Sequence, residues 1–423
     1  YERCGEAVVM DANTLAVSSP YDPTCGDSGE VTGECTDAGS VYVYDIGAGG
    51  ALSQGQILRL APPTNFDRFG SALALDGDTL AVGAAQSNRC PPSDPDSPDC
   101  QSSGAVYIFE RSGGDFAQVA ELHASNFDAF DRFGYALALR GERLAVGAVG
   151  QGTCGDPEPS NIDPTETDGP SCGGSGAVYV FEKQGSAWIE TAFLKSDVKY
   201  TNGNLGTALA LSEDRIFAGA QGESRVFVSG QGEGGWRITS SLKPLDIEST
   251  GPVDWPNLGQ ALSLAGDYLG IGASSFGAGG EVFILEEGSP DQWSVVQKLA
   301  PLIPDYNGGG VGKSVAIAPK GDRLGVGAPR DDRCGDPTQA TGECVDAGSL
   351  FVFEGGGASW SHAGSYRANL SNRELSLGEK VALNDDFYAG TAPGKDGCAS
   401  GVGADTDSSD CDDAGAVYFR TLP

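Results

Sequence analysis

Residues 69–85 read Phe-Gly-Ser-Ala-Leu-Ala-Leu, then Asp-Gly-Asp, then Thr-Leu-Ala-Val-Gly-Ala-Ala. Two apolar runs of strand length thus flank a tight polar turn. A third run, Gly104 to Glu110, is rich in β-branched and aromatic residues, as strands are. Ser112-Gly113-Gly114-Asp115 turns the chain again, and Phe116 to Ala124 alternates apolar and polar residues. That alternation suits an outer strand with one face in water. The stretch therefore spells a four-stranded antiparallel meander.

The same plan recurs along all 423 residues. An apolar-Gly pair opens each copy: Cys4-Gly5, Phe69-Gly70, Phe133-Gly134, Leu205-Gly206, Leu258-Gly259, Val311-Gly312 and Leu377-Gly378. The second run ends in a small-residue cluster, as at Gly83-Ala84-Ala85, Gly147-Ala148-Val149, Gly272-Ala273 and Gly327-Ala328-Pro329. The third run opens Gly-small-Val-aromatic, as at Gly39-Ser40-Val41-Tyr42, Gly104-Ala105-Val106-Tyr107, Gly176-Ala177-Val178-Tyr179 and Gly415-Ala416-Val417-Tyr418. Units of this size cannot bury an apolar face alone and must stack on their neighbours. Seven four-stranded units predict an all-β chain, a seven-bladed β-propeller in one domain, with units near 1–65, 66–129, 130–201, 202–254, 255–307, 308–373 and 374–423. No sustained 3.6-residue period appears, so no long helix is expected. Glycines in first strands are expected where innermost strands crowd together. The chain ends just past the third strand of unit seven. The expectation is a three-stranded last blade closed on the first by side-chain packing, and the alternative is a trimmed chain.

Composition bounds the class. Asp and Glu number 59 against 26 Lys and Arg, a net charge of −33. Such a surface repels phosphates and argues against nucleic acid as partner. No run of 18 apolar residues is present to span a membrane. No signal peptide is visible and residue 1 is Tyr, which suggests a mature or trimmed chain.

Ten of the eleven cysteines pair within single loops: Cys25/Cys35, Cys90/Cys100, Cys154/Cys172, Cys334/Cys344 and Cys398/Cys411. Local pairing predicts five disulfides and an oxidising compartment, outside the cell or at its surface. Each closes a loop of roughly 11 to 19 residues, worth at most about 3 kcal/mol. Zinc would want Cys-x-x-Cys or clustered His, and the only two histidines lie outside these loops. Cys4 stands where other copies carry Phe, Leu or Val, and reads as a buried free thiol acting as a small apolar residue.

The paired signals, apolar-Gly and then Gly-Ala-Pro, resemble the FG-GAP repeats of the integrin α-subunit β-propeller and its bacterial relatives. Phe69-Gly70 and Phe133-Gly134 carry the first half, Gly327-Ala328-Pro329 the second, and Thr391-Ala392-Pro393 comes close. The resemblance implies the propeller fold and a binding or adhesion role. It does not bring the family's calcium loops. Here the first and second strands join through tight turns such as Asp76-Gly77-Asp78, Arg140-Gly141-Glu142 and Asn384-Asp385-Asp386, too short to wrap six or seven oxygens around the ion.

All long insertions fall between second and third strands, in units 6, 7, 1, 2 and 3. In a meander that places the disulfide loops on one rim, where binding residues usually sit. Protection of long loops from proteolysis is the competing reading. Asp405, Asp407 and Asp410 are the best calcium candidates in these acidic loops. Lys320-Gly321-Asp322 resembles an integrin-binding tripeptide but occupies a turn, and Asn369-Leu370-Ser371 fits a glycosylation acceptor. His123 and His362 fall on outer strands, away from any axial cleft, so no Ser-His-Asp or Cys-His set is expected. No cofactor fingerprint appears. The preferred function is a monomeric, non-enzymatic recognition module binding a protein or glycan. The alternatives are a hydrolase or lyase acting on polysaccharide through a carboxylate pair, and a structural ring without a discrete ligand.

Overall fold

The computed structural model describes residues 3–24, 35–95, 97–152, 173–196, 201–243, 257–274, 280–289, 292–299, 309–332, 346–356, 359–367, 376–393 and 415–422. Its strands form seven antiparallel sheets, six of four strands and a last one of three, each in simple sequence order. Blade 1 holds Val8–Met10, Thr14–Ser19, Ser40–Ile46 and Leu52–Leu58; blade 2 holds Ala72–Asp76, Thr79–Ala84, Ala105–Ser112 and Asp115–Leu122. Blade 3 begins at Phe133, blade 4 at Leu205, blade 5 at Leu258, blade 6 at Ser314, and blade 7 comprises Val381–Leu383, Phe387–Ala392 and Ala416–Thr421. The fold is a seven-bladed β-propeller with a three-stranded last blade, as the repeats predict. The described helices are three 3₁₀ turns at Ala48–Gly50, Pro98–Cys100 and Gln221–Glu223.

By contacts the chain divides into two compact units. One comprises Tyr1–Asp22, Val41–Leu58 and Trp255–Pro423, and the other Pro23–Ser40 with Arg59–Asp254. In the second unit, the facing sides of blades 2 and 3 bury Val106, Ile108, Phe133, Leu144, Val146 and Tyr179. Blades 3 and 4 bury Val178, Val180, Leu205, Ile216, Phe227 and Trp236. Each such side chain stabilises the fold by about 1.5–3 kcal/mol on burial. In the first unit, blade 7 packs on blade 1 through Val8, Leu15, Val17, Ala389, Val417 and Phe419. Hydrogen bonds add to this seam: Cys4 pairs in parallel with Gly415 through backbone, and the Asn384 side-chain Nδ2 donates to Asp11 O at 2.9 Å. Cys4 is half-buried against this cluster rather than fully buried.

The recurring glycines have a sharper reason than crowding of innermost strands. Gly104 of blade 2 lies against the backbone of Phe133 in blade 3, where a Cβ would stand 2.1 Å from the Phe133 oxygen. A Cβ on Gly83 would stand 2.2 Å from Gly134 O. The apolar-Gly pair of one blade therefore meets both glycine motifs of the preceding blade. Gly134 (φ 90°) also kinks its strand, and the register shifts there between Gly147 and Ala148.

Gly104→Ala is expected to abolish folding or to lower Tm by roughly 10 °C or more, because backbone cannot yield as a side chain can. Gly234→Ala, in a hairpin turn with nothing within 4 Å of the added methyl, should leave Tm within about 2 °C. Thermal unfolding of the two variants checks the contrast.

Candidate functional site at the loop-bearing end of blades 2 and 3

The chain crosses from blade to blade at the same end where second strands connect to third strands. In the second unit these segments are joined through backbone. Phe66 N donates to Thr36 O at 2.8 Å, Arg68 N to Asp37 O at 3.0 Å and Phe69 N to Ala38 O at 3.0 Å. One blade on, Phe130 N donates to Gln101 O at 2.7 Å, Arg132 N to Ser102 O at 3.1 Å and Phe133 N to Ser103 O at 2.8 Å. Asn202, Asn204 and Leu205 repeat the pattern onto Gly173, Gly174 and Ser175. Three amides within four residues face one neighbour.

That geometry places two residues per crossing in the left-handed region: Phe66 (φ 66°) and Arg68 (φ 50°), Phe130 (φ 69°) and Arg132 (φ 58°), Asn202 (φ 58°) and Asn204 (φ 55°). Asparagine visits this region readily, while a bulky residue there is strained by about 1–2 kcal/mol. In the first two pairs the intervening residue is an aspartate that turns inward, while Gly203 stands there ahead of blade 4. Asp67, 1% exposed, accepts from the Thr64 hydroxyl, from Ser87 Oγ at 2.9 Å and from Arg89 Nε at 3.2 Å. Asp131 is fully buried, and its Oδ2 accepts from Asp128 N at 2.9 Å. With the carboxylates inside, the flanking rings turn out. Phe66 is 49% and Phe130 52% exposed, and Tyr135, two residues past Phe133, is 42% exposed. Arg132 is exposed beside Phe130, while Arg68 lies 3.5 Å from Asp37.

The disulfides act on this arrangement. Cys90 and Cys100 are bonded, with Cα atoms 5.3 Å apart. Gln101, next to Cys100, carries the carbonyl that holds Phe130. Cys35 is also disulfide-bonded, and its neighbour Thr36 holds Phe66. In all five loops the second cysteine stands four residues before the latch glycine, as in Cys35/Gly39, Cys100/Gly104, Cys172/Gly176, Cys344/Gly348 and Cys411/Gly415. That spacing is legible in the sequence. Cys25, Cys154, Cys172, Cys334, Cys344, Cys398 and Cys411 lie outside the described residues, as do Asp405, Asp407, Asp410 and Asn369.

Further side chains hold the crossing that carries Phe130. Glu190 accepts from Ser125 N at 3.0 Å and from Ser125 Oγ at 2.8 Å, and burial pushes its carboxyl above the usual range. Tyr179 OH donates to Asn126 Oδ1 at 2.7 Å. His123, just past the outer strand of blade 2, places Nε2 3.1 Å from Glu121 Oε1. This hydrogen bond holds the Glu121 carboxyl below its ordinary value, against desolvation. His362 lies within the outer strand of blade 6. Lys320 ties its amide and its amine to Asp385 at 3.1 and 3.5 Å, which is turn chemistry.

At the turn end of blades 3 and 4, a cleft of about 440 Å³ is lined by Arg140, Arg143, Glu142, Glu182, Lys183 and Glu213, among others. Most of its charges are engaged. Arg143 lies 3.1 Å from Glu182, Arg140 3.5 Å from Glu213, and Lys183 2.7 Å from Glu110. This network joins neighbouring blades. Among the described residues, no group of three or more His, Cys, Asp or Glu is placed to hold a metal ion. No described helix is long and apolar enough to cross a membrane.

The FG-GAP repeat family model matches residues 63–109 and 116–161, which cover most of blade 2 and the start of blade 3. The remaining blades share that strand plan, so the chain is a seven-bladed β-propeller that carries FG-GAP repeats in this stretch. Among curated proteins no significant match is found. Among solved structures, a protein from Lactobacillus plantarum is similar at 11% identity, over 96% of this chain and 99% of that one, with a TM-score of 0.55. A proposed 6-phosphogluconolactonase from Bacteroides uniformis is similar at 11% identity, over 84% and 83%, with a TM-score of 0.50. The periplasmic gluconolactonase of Pseudomonas aeruginosa aligns at 16% identity, over 85% and 84%, with a TM-score of 0.47. These likenesses are of fold.

Replacing Cys90 and Cys100 together by Ser should lower stability by at most about 3 kcal/mol. The Phe130 amide should also lose protection in hydrogen exchange, while core amides of blade 4 keep theirs. Glu190→Gln tests the raised carboxyl. Because the folded-state value lies above the unfolded one, ionisation costs stability as pH rises from about 4. The variant should match wild type below pH ~4 and exceed it increasingly towards neutrality. Denaturant unfolding across that range checks the sign.

Proposed function

We propose that this protein is a recognition module that binds a protein or glycan surface through Phe66 and Phe130, at the loop-bearing end of blades 2 and 3. The observation that carries the reading is the pair of half-exposed phenylalanines held in left-handed backbone at equivalent positions of adjacent blades. Neither ring serves the core, and each strains its backbone where blade 4 uses Asn202 without penalty. Strain retained at an exposed aromatic residue points to function, since the fold itself gains nothing from it. The Phe rings offer apolar faces to a sugar ring or an apolar side chain, and Arg132 stands beside one of them. Rigid presentation on a disulfide-anchored latch lowers the ordering cost of binding. The disulfides support an oxidising setting, and we place the module outside the cell or at its surface, acting as a monomer without catalysis. Two of the fold neighbours bear lactonase names, but at 11–16% identity these carry no activity to this chain.

The test is Phe66→Asn with Phe130→Asn, which installs the residue that blade 4 already carries at this position. The double variant is expected to fold with stability equal to or above wild type, since about 1 kcal/mol of strain is relieved per site. On glycan and protein arrays it should lose the spots that wild type binds, with affinity down at least about tenfold. Unchanged array binding would sink the proposal, and so would a wild-type protein that binds nothing on either array.

A further inference from the structure

Around Phe130 the chain departs from its siblings at two places. The first is the residue after each apolar-Gly pair. It is polar in six blades, as Glu6, Ser71, Thr207, Gln260, Lys313 and Glu379, but is Tyr135 in blade 3. Tyr135 is 42% exposed and Phe130 52% exposed. Both stand on one turn, which Tyr135 N closes by donating to Arg132 O at 3.2 Å. Between them in the chain lies Arg132, exposed and held in left-handed backbone (φ 58°).

The second departure concerns the charge of Arg132. One blade earlier, Arg68 N donates to Asp37 O at 3.0 Å, and Arg68 Nη2 lies 3.5 Å from Asp37 Oδ2. Arg132 N donates to Ser102 O at 3.1 Å, so Ser102 occupies the place of Asp37, with nearly the same φ (50° against 53°). A serine hydroxyl cannot neutralise a guanidinium. Among the described residues no carboxylate lies within ion-pair distance of Arg132, although acids outnumber bases by 59 to 26. The crossing thus carries an uncompensated cation flanked by two exposed aromatic residues, and it lacks the acid that its sibling keeps.

We propose that Phe130, Arg132 and Tyr135 bind a carboxylated sugar at the end of an otherwise neutral glycan. The inference rests on the recognition role of Phe130 proposed above and names its ligand. The guanidinium fork matches a carboxylate in a bidentate pair. The C–H face of a sugar packs on an aromatic ring through dispersion and loss of water. A sugar acid carries both features on one rigid ring. A peptide is less well served, because the amides of Phe130, Arg132, Phe133 and Tyr135 are already donated within the protein and offer no strand edge to pair with. A single anion suits the site, whereas a polyanion meets the net charge of −33 and is repelled.

The experiment is calorimetric titration of the full chain, at fixed pH and ionic strength, with glucuronyl- and sialyl-terminated lactose, their methyl esters, lactose itself and tetraglutamate. Saturable binding is expected with at least one acidic sugar, and the comparison shows which is preferred. Its methyl ester and lactose should bind at least about tenfold more weakly. Arg132→Asn and Tyr135→Thr install the blade 4 residues Asn204 and Thr207, so Tm should hold while affinity falls by about tenfold or more. Ser102→Asp should give Arg132 the ion pair that Arg68 makes with Asp37, and so weaken binding from outside the ligand site. Lys320→Ala, at an exposed turn of blade 6, should bind as wild type does. The proposal is overturned by no saturable binding to either acidic sugar, by an ester or tetraglutamate bound as tightly as the acid, or by wild-type affinity in Arg132→Asn or Ser102→Asp. Array binding of other glycans or proteins that is lost in Phe66→Asn with Phe130→Asn would then leave the recognition role standing while this ligand assignment fell.

Discussion

Backbone amides of one blade reach the carbonyls of the preceding blade because only hydrogen stands on the glycine between them. With Phe133 O where a Cβ of Gly104 would sit, the two chains run as close as peptide groups allow. At that distance Phe130, Arg132 and Phe133 can all donate across the gap. Each blade thereby satisfies polar groups that its neighbour would otherwise leave exposed at a sheet end. The apolar packing between sheets is larger in total, but it is non-directional. The latch is what sets register from one blade to the next. At the seam between blade 7 and blade 1, the Cys4 to Gly415 bridge is the same device, so a three-stranded last blade can still be held by its neighbour.

The latch also determines where function can be placed. Its backbone geometry demands left-handed residues outside the core, one at least beside a buried carboxylate. Whatever side chain stands there is aimed outward and held still. Asparagine at positions 202 and 204 meets the demand without strain, and phenylalanine at 66 and 130 meets it at a cost. The described cysteines Cys35 and Cys100 reinforce the same backbone from the other side, because the carbonyls of Thr36 and Gln101, which follow them, accept the crossings' amides. The disulfides are thus part of the scaffold's joint as well as staples on long loops.

In a repeat protein each blade serves as the control for the others. Sites that match across blades, such as the glycines and the buried leucines of second strands, report on folding. Sites that depart from the pattern, such as Phe66 against Asn202, are where something can be added to it. The charge networks at the hairpin turns follow the first rule. Arg143 with Glu182, and Arg323 with Glu354 at 2.7 Å, occupy matching places in blades 3 and 6 and stabilise modestly at the surface.

Blade count, strand order, the short last blade and, among the described residues, the absence of long helix could all be read from repeats of the kind seen at Phe69 to Ala85, because period and turn chemistry are local properties. The register of the second cysteines, four residues before each latch glycine, was equally present in the string of letters. The function of those glycines was not, since Gly83 and Gly134 are 51 positions apart in the chain and only stacking brings them together. Nor could the sequence tell that the Asp of Phe-Asp-Arg points inward and its two neighbours outward. That depends on the sign of φ at single residues, which is imposed by hydrogen bonds to another blade. Local composition determined that this chain would form small twisted sheets in series. Long-range backbone pairing alone decided which side chains those sheets hold out to solvent.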